Sequence, residues 1–464
     1  MVEINPNRLH NFVAASRRLF EHYLGGMVEI PTVSTDPACV ENINKGASLA
    51  VDYLTEMGAR AEIVQTAGHP MILGHFDIQA GAPTLAVYHH LDVQPASLSM
   101  WIHPPFKFTV TLDGHYLGRG TTDDKGPAIT ALFAARFALE EHIPINIKFI
   151  WEMEEEIGSP NFEAAIRSRK EEIHPDSILV QDNAWISRDK PSVTYGIRGL
   201  MTAFMRLTTA ERDAHSGLAG GAARNPVAEL CQVIDRCFDP LTGKVKIEGF
   251  YDKVRKPTPE EIQEFEHFKF NVSSFREAHG LKLLRTENAG RIMQAIWCEP
   301  TFEVHGLVGG YPSSEVTAII PHTAEAKIST RLVPDQSPGE IFRIIKNFVK
   351  EINPDVAVEL DSTLEPYLTE FSGPYAQAAR EAVMAGFGLR PVFIREGLSI
   401  GSVASMHKLW GVPVVLLGLS LPEHGYHAPN EYFDWPQASG GIKTLAYYFH
   451  KISQIGREEG RRKK

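Results

Sequence analysis

Apolar residues recur at Leu9, Phe12, Val13, Phe20, Leu24 and Met27, among Arg17, Arg18 and Glu21. That three-to-four-residue spacing predicts an amphipathic opening helix over residues 8–30, and the pattern repeats over 45–57. Short apolar runs follow at 84–88, 145–151 and 177–180, each ending in polar residues. Separated by helical stretches such as 127–142, such runs predict an α/β sheet buried on both faces. Each run leads into His, Glu or Asp. In open α/β sheets ligands bind beyond the carboxyl ends of the strands, so chemistry is expected there.

The middle of the chain has a different texture. Residues 200–207 and 324–332 read as strands, and the polar region 239–288 reads as an irregular and helical insertion. A helix returns at 374–386, and buried strands at 391–394 and 414–417. A chain of 464 residues is longer than one core usually supports. The simplest organisation is one domain, residues 1–197 plus 371–464, split by an inserted domain at 198–370.

Composition narrows the function classes. Hydrophobic residues make up 43% and charged residues 22%, ordinary for a globular protein. The net charge of −11 argues against a nucleic-acid partner, which requires a basic face. The single basic cluster, Arg457, Arg461, Arg462, Lys463 and Lys464, reads as a solvated tail. No apolar stretch reaches the roughly 18 residues of a membrane helix. No basic segment followed by an apolar run opens the chain, which predicts no signal peptide. Four cysteines, at 39, 231, 237 and 298, form no close pair and fit reduced thiols in a cytoplasmic protein. Cys231 and Cys237, in the apolar stretch 228–238, are expected to be buried.

Five motifs carry candidate chemistry. In Tyr88-His89-His90-Leu91-Asp92-Val93, His90 and Asp92 face the same way on a strand and can share a partner. A carboxylate near a metal-bound imidazole fixes its tautomer. Gly118-Arg119-Gly120-Thr121-Thr122-Asp123-Asp124-Lys125-Gly126-Pro127 places two adjacent acids, which repel unless a cation compensates. Glu152-Met153-Glu154-Glu155-Glu156 concentrates four glutamates at a strand end, a cluster that protons or metal ions must neutralise. Leu179-Val180-Gln181-Asp182-Asn183 supplies another strand-end acid, and His424-Gly425-Tyr426-His427 a histidine-rich loop. Imidazoles and carboxylates without thiolates suit zinc, manganese or cobalt. One bridging carboxylate with two further ligands per ion would hold two metals about 3.5–4 Å apart.

The strings HHLDVQP, GRGTTDDKGP, EEEIGS, DNAW, YGIRG, AHSG and HAPNE, in this order along nearly the whole chain, resemble the M20 family of metallopeptidases. The resemblance is closest to the dipeptidase branch, the carnosinase-like cytosolic nonspecific dipeptidases. It implies an α/β catalytic domain, a central mixed sheet flanked by helices, interrupted by an inserted α+β sandwich that acts as lid and dimerises. It implies two divalent ions, zinc foremost. His90 and Asp182 would bind one ion, Glu156 and His427 the other, and Asp123 would bridge both. Asp92 would orient His90, and Glu155 would be the general base toward a bridging hydroxide that attacks a peptide bond. The peptide bond after Asp123 is expected to be cis. His215, in Asp213-Ala214-His215-Ser216-Gly217, matches the lid histidine that stabilises the tetrahedral oxyanion, often across a homodimer. Arg331 matches the lid arginine that holds the substrate carboxylate, a task suited to its planar fork of donors. Glu396 sits where the branch places an acid near the free amino group.

One departure concerns the pocket. The branch reads Gly-Gly-Ser-Ile-Pro where this chain reads Gly397-Leu398-Ser399-Ile400-Gly401. Leu398 and Gly401 therefore bear on substrate range. The expected activity is hydrolysis of dipeptides or short peptides, with a small peptide as partner, a homodimer as assembly and the cytoplasm as location. A deacylase of N-acyl amino acids is the competing enzyme, since sister branches share the metal set. A catalytically silent binding protein on the same fold is the third reading, opposed by an intact Glu155.

Overall fold

The computed structural model describes residues 3–462 apart from Ser313 and Leu398. The side chains of Ala278 and of residues 456–462 are also outside the description. Leu398 and the side chains of the basic tail from Arg457 onward thus lie outside the described residues.

Chain contacts divide the molecule into two units: Met1–Tyr195 with Thr369–Ile394 and Gly401–Lys464, and Gly196–Leu368 with Arg395–Ile400. The short segment 395–400 therefore joins the second unit although the chain around it belongs to the first.

In the first unit a mixed sheet is built on four parallel strands in the order Asn146–Glu152, Thr84–His90, Ser177–Val180 and Val414–Leu416. Their near-continuous burial is what helices on both faces require of a parallel sheet. Two antiparallel strands, Arg60–Val64 and Met71–Phe76, extend one edge. Ser192–Ile197 pairs with Val414–Leu416 on the other side. Helix Lys125–Glu140 is buried along most of its length. It lies between Pro6–Val28 and the C-terminal helix Trp435–Arg462, where the Phe20 ring meets Phe133 and Trp435. The opening helix starts where Asn5 accepts hydrogen bonds from the Asn7 and Arg8 amides, an N-cap followed by Pro6.

The second unit holds a four-stranded antiparallel sheet in the order Glu303–Gly309, Thr323–Leu332, Gly199–Thr208, Ala357–Leu364. Alternate residues Met201, Ala203, Met205 and Leu207 face a core completed by Leu230 and Val233 of helix Pro226–Cys237 and Ile341, Ile345 and Val349 of helix Pro338–Ile352. Within the insertion run the helices Pro259–His267, Val272–Ala278 and Ala289–Trp297. One expectation is corrected here: Cys237 is buried, but Cys231 is exposed. Six helical steps of about 100° leave the two thiols about 120° apart, so an amphipathic helix cannot bury both. No described helix is long and apolar enough to cross a membrane.

Candidate metal centre

Because four neighbouring strands run parallel, their carboxyl ends open at one edge of the sheet. His90 ends its strand opposite Glu152, and the next residues are Asp92 on one side and Glu154–Glu156 on the other. Asp182 follows Val180, and the segment after Leu416 leads to His424 and His427. Gly418 permits this convergence: a Cβ there would stand 1.7 Å from the Asn183 carbonyl oxygen, beside Asp182.

Buried His90 is oriented by its own turn. Its Nδ1 lies 3.0 Å from the Asp92 carbonyl oxygen and 3.4 Å from Asp92 Oδ1. The Asp92 carboxylate in turn accepts the Glu155 amide at 3.2 Å and the Glu156 amide at 3.0 Å. One aspartate thus ties the histidine to the glutamate turn. His90 Nε2 stands 3.0 Å from Asp123 Oδ1 and 3.9 Å from Asp182 Oδ1, and with Nδ1 turned to Asp92 it is the nitrogen left to face a metal. On the other side of Asp123, Oδ2 lies 3.0 Å from His427 Nε2, which is also 3.3 Å from Glu156 Oε2. Two donor groups result, His90, Asp123 and Asp182, and Asp123, Glu156 and His427, and they share Asp123. Gln94 Nε2 donates to Glu156 Oε2 at 2.7 Å and steadies that carboxylate.

Asp123 owes its position to Glu431. This fully buried carboxylate accepts the Gly120 amide (2.9 Å) and Arg119 Nη1 (2.8 Å) on one oxygen, and the Thr122 (2.9 Å) and Asp123 (3.2 Å) amides on the other. The Asp123–Asp124 peptide bond is cis. Lys125 does not neutralise its acidic neighbours: its buried Nζ donates to the Met27 and Ile30 carbonyl oxygens at 2.9 and 3.2 Å.

The charge balance identifies what the site accommodates. Asp92, Asp123, Asp124, Glu155, Glu156 and Asp182 face only two imidazoles, and among the described residues no lysine or arginine pairs with any of them. Burial and then neighbouring acids push three of these carboxyls up, Asp182 to about 7 and Asp124 and Glu155 well above the ordinary range. Both oxygens of Asp124 are buried without a hydrogen-bond partner among the described residues. Burial works against a charged His90, yet Asp123 and Asp92 outweigh it and hold its pKa well above the usual histidine value. Added positive charge relieves all of these at once. A third donor group, Glu62, His75 and Glu172, makes the contrast. There Arg169 pairs with both glutamates at 3.0–3.1 Å, and Arg60 lies 3.4 Å from Glu172, so no cation is wanted.

The remaining candidates lie in the second unit. His215 is exposed, its Nδ1 accepting the Gly217 amide at 3.0 Å. Half-buried Arg331 donates from Nη1 to Ser399 Oγ at 2.8 Å. Glu396 ends the strand Val392–Glu396 and is half-buried. Sequence reasoning assigned no role to Glu431 or Gln94. The signal was present, since each lies inside a motif string, but a carboxylate that accepts backbone amides from a loop 308 to 311 residues earlier has no local signature.

A model of peptidase family M20/M25/M40 matches residues 86–451. The chain is 28% identical to the Cys-Gly metallodipeptidase dug1 of Schizosaccharomyces pombe, covering 98% of this chain and 100% of that one. It is 29% identical to the Beta-Ala-His dipeptidase of Homo sapiens, covering 92% and 88%. Among solved structures, the M20 family metallo-carboxypeptidase Sso-CP2 of Sulfolobus solfataricus superposes with a TM-score of 0.85 at 28% identity, covering 94% of this chain and 99% of that one.

Proposed function

The chain belongs to peptidase family M20/M25/M40, and from that premise we propose that it is a dipeptidase working with two divalent metal ions, zinc foremost. The observation that carries the reading is the shared aspartate: each oxygen of Asp123 lies 3.0 Å from the Nε2 of a different histidine. His90 and Asp182 would hold one ion, Glu156 and His427 the other, with Asp123 common to both. Imidazole and carboxylate donors without sulfur suit zinc, and manganese or cobalt could use the same donors. Two such ions would supply Lewis acidity toward a substrate carbonyl and a water acidic enough to attack at neutral pH.

The rest is done by the chain itself. Glu155 has no ion-pair partner among the described residues, and its amide is anchored on Asp92, which leaves the carboxylate free to move a proton. It would take a proton from the attacking water and return it to the departing amine, so that one group serves as base and then as acid. Asp92 would keep His90 in the tautomer that offers Nε2 to the metal. His215 would donate to the oxyanion of the tetrahedral intermediate. Arg331, without an acidic partner among the described residues, would take the substrate's terminal carboxylate, and Glu396 the free amino terminus; together they would account for both charged ends of a dipeptide. The second unit would serve as lid and homodimer interface. Four free cysteines fit a cytoplasmic setting.

The test is a substrate panel with metal counting. Purified protein is expected to carry two ions per chain and to hydrolyse alanyl-glycine and cysteinyl-glycine but not N-acetyl amino acids. Activity on the acylated compounds alone would replace the dipeptidase reading with the deacylase. Glu155→Gln should keep both ions and lose at least about a thousandfold in turnover; undiminished activity in that variant rejects the assigned mechanism.

A further inference from the structure

Arg198, in the string Tyr195-Gly196-Ile197-Arg198-Gly199, has no role in the mechanism above, and its surroundings in the second unit give it one. Arg331 pairs with Leu200 across the antiparallel strands Thr323–Leu332 and Gly199–Thr208. Arg198 falls between the strands Ser192–Ile197 and Gly199–Thr208, two residues before Leu200, and stands close enough to Arg331 for their like charges to act on each other. Leu200 and Arg331 share the face turned away from the core residues Met201, Ala203, Met205 and Leu207.

Both guanidinium groups grip the same short segment. Arg198 Nε donates to the Gly397 carbonyl oxygen at 3.4 Å, and Arg331 Nη1 donates to Ser399 Oγ at 2.8 Å. Gly397 makes room for this: a Cβ there would stand 2.8 Å from Arg198 Nη2. Neither arginine forms an ion pair with any described carboxylate, whereas Arg395, next to them in the same unit, is matched by Glu261. Arg198 Nη1 is buried and has no hydrogen-bond partner among the described residues. Burial, and then the like charge of Arg331, lowers the Arg198 pKa to about 10, with Glu303 opposing from beyond ion-pair distance. Burial lowers that of Arg331 as well. Two half-buried guanidinium groups side by side, one with an idle donor, form a site for negative charge that the protein itself leaves unfilled.

We propose that Arg198 and Arg331 form one dianion-binding site, and that it selects dipeptides whose C-terminal residue is aspartate or glutamate. A neutral C-terminal residue offers a single carboxylate and leaves one buried cation unmatched. An acidic residue offers its α-carboxylate to Arg331 and its side-chain carboxylate to Arg198. This rests on the reading of Arg331 as the carboxylate ligand.

The experiment compares pairs that differ only in charge: alanyl-glutamate against alanyl-glutamine, and alanyl-aspartate against alanyl-asparagine. The wild-type protein should favour the acidic member in kcat/KM by about tenfold, the worth of one hydrogen-bonded charge contact. Arg198→Gln should bring the ratio to about one through KM, and Arg198→Lys should restore part of it, which a merely structural arginine would not do. A wild-type ratio at or below one, or a ratio that Arg198→Gln leaves intact, overturns the proposal. Calorimetric titration of the metal-loaded protein with L-glutamate and L-glutamine needs no turnover: glutamate should bind about tenfold tighter, and Arg198→Gln should abolish the difference. Equal binding by the wild type rejects the dianion site. A glutamate preference that depends on Arg198 in a protein inactive on dipeptides supports the site and rejects the dipeptidase reading instead.

Discussion

Changing Glu431 to glutamine keeps the shape of the side chain and reverses half of its hydrogen bonding. In the native structure its two oxygens accept four donors, from Arg119, Gly120, Thr122 and Asp123. A glutamine places an NH2 group against two of those N–H groups whichever way it is turned, so at least two hydrogen bonds are lost. It also strands Arg119, which is 3% exposed and ion-paired only with Glu431 among the described residues. Hydrogen bonds to a charged group contribute about 1.5–3 kcal/mol each, and removing one partner of a buried ion pair costs about 3–5 kcal/mol. The two descriptions overlap, so the expected loss is about 3–5 kcal/mol, not their sum. Burial and the nearby Asp123 push the Glu431 carboxyl up to about 7. The comparison therefore belongs at pH 8, where the native carboxylate is ionised. Thermal unfolding of the metal-stripped variant should begin about 10 °C lower, at roughly 2–4 °C per kcal/mol for domains of this order. Because the Asp123 loop hangs on this side chain, metal affinity measured by calorimetry should fall about 10–100-fold. Combining Glu431→Gln with Arg119→Met should show coupling of about 1 kcal/mol or more between the two sites. A melting shift under about 2 °C with unchanged metal affinity would refute the argument that Glu431 builds the site.

Two further outcomes follow from the same structure. Burial, reinforced by Lys148 and Arg60, lowers the pKa of His75 to about 4. Its folded value lies below the unfolded value near 6.5, so the unfolded chain binds the extra proton. The neutral ring's stabilisation is complete above pH 6.5 and disappears as the pH falls toward 4, by about 3 kcal/mol. His75→Gln should flatten the melting-temperature curve between those limits, and parallel curves for wild type and variant would count against it. Chelation is expected to abolish activity and lower the melting temperature, because six carboxylates lose their counter-charge. With ions at about a thousand times their dissociation constants the lost stabilisation is about 4 kcal/mol for each ion. Readded zinc should restore both, and indifference to chelator would exclude the metal centre.

Much of this protein is legible in its residues taken in order. Apolar periodicity marked the helices Pro6–Val28 and Lys125–Glu140 and the buried strands at 84–90, 146–152 and 177–180, because a side chain's preference for water or core is a local property. Acids and imidazoles placed just after those strands marked where chemistry would lie. The antiparallel strands Arg60–Val64 and Met71–Phe76 escaped notice, the first because its half-exposed residues show no clear alternation. The exposure of Cys231 escaped for a related reason, since an apolar stretch does not state which face of its helix meets the core.

What folding alone established is the pairing of charges distant in sequence. Asp123 meets His90 and His427 because parallel strands deliver their ends to one edge, and Glu431 reaches back across 308 residues to hold the Asp123 amide. Lys125 stands beside two aspartates in the sequence, yet its ammonium points to carbonyl oxygens of the first helix and of the turn after it. Arg198 and Arg331 are separated by most of the inserted unit and become neighbours only through strand register. Electrostatic energy depends on distance and on exclusion of water, and neither exists until the chain has closed on itself.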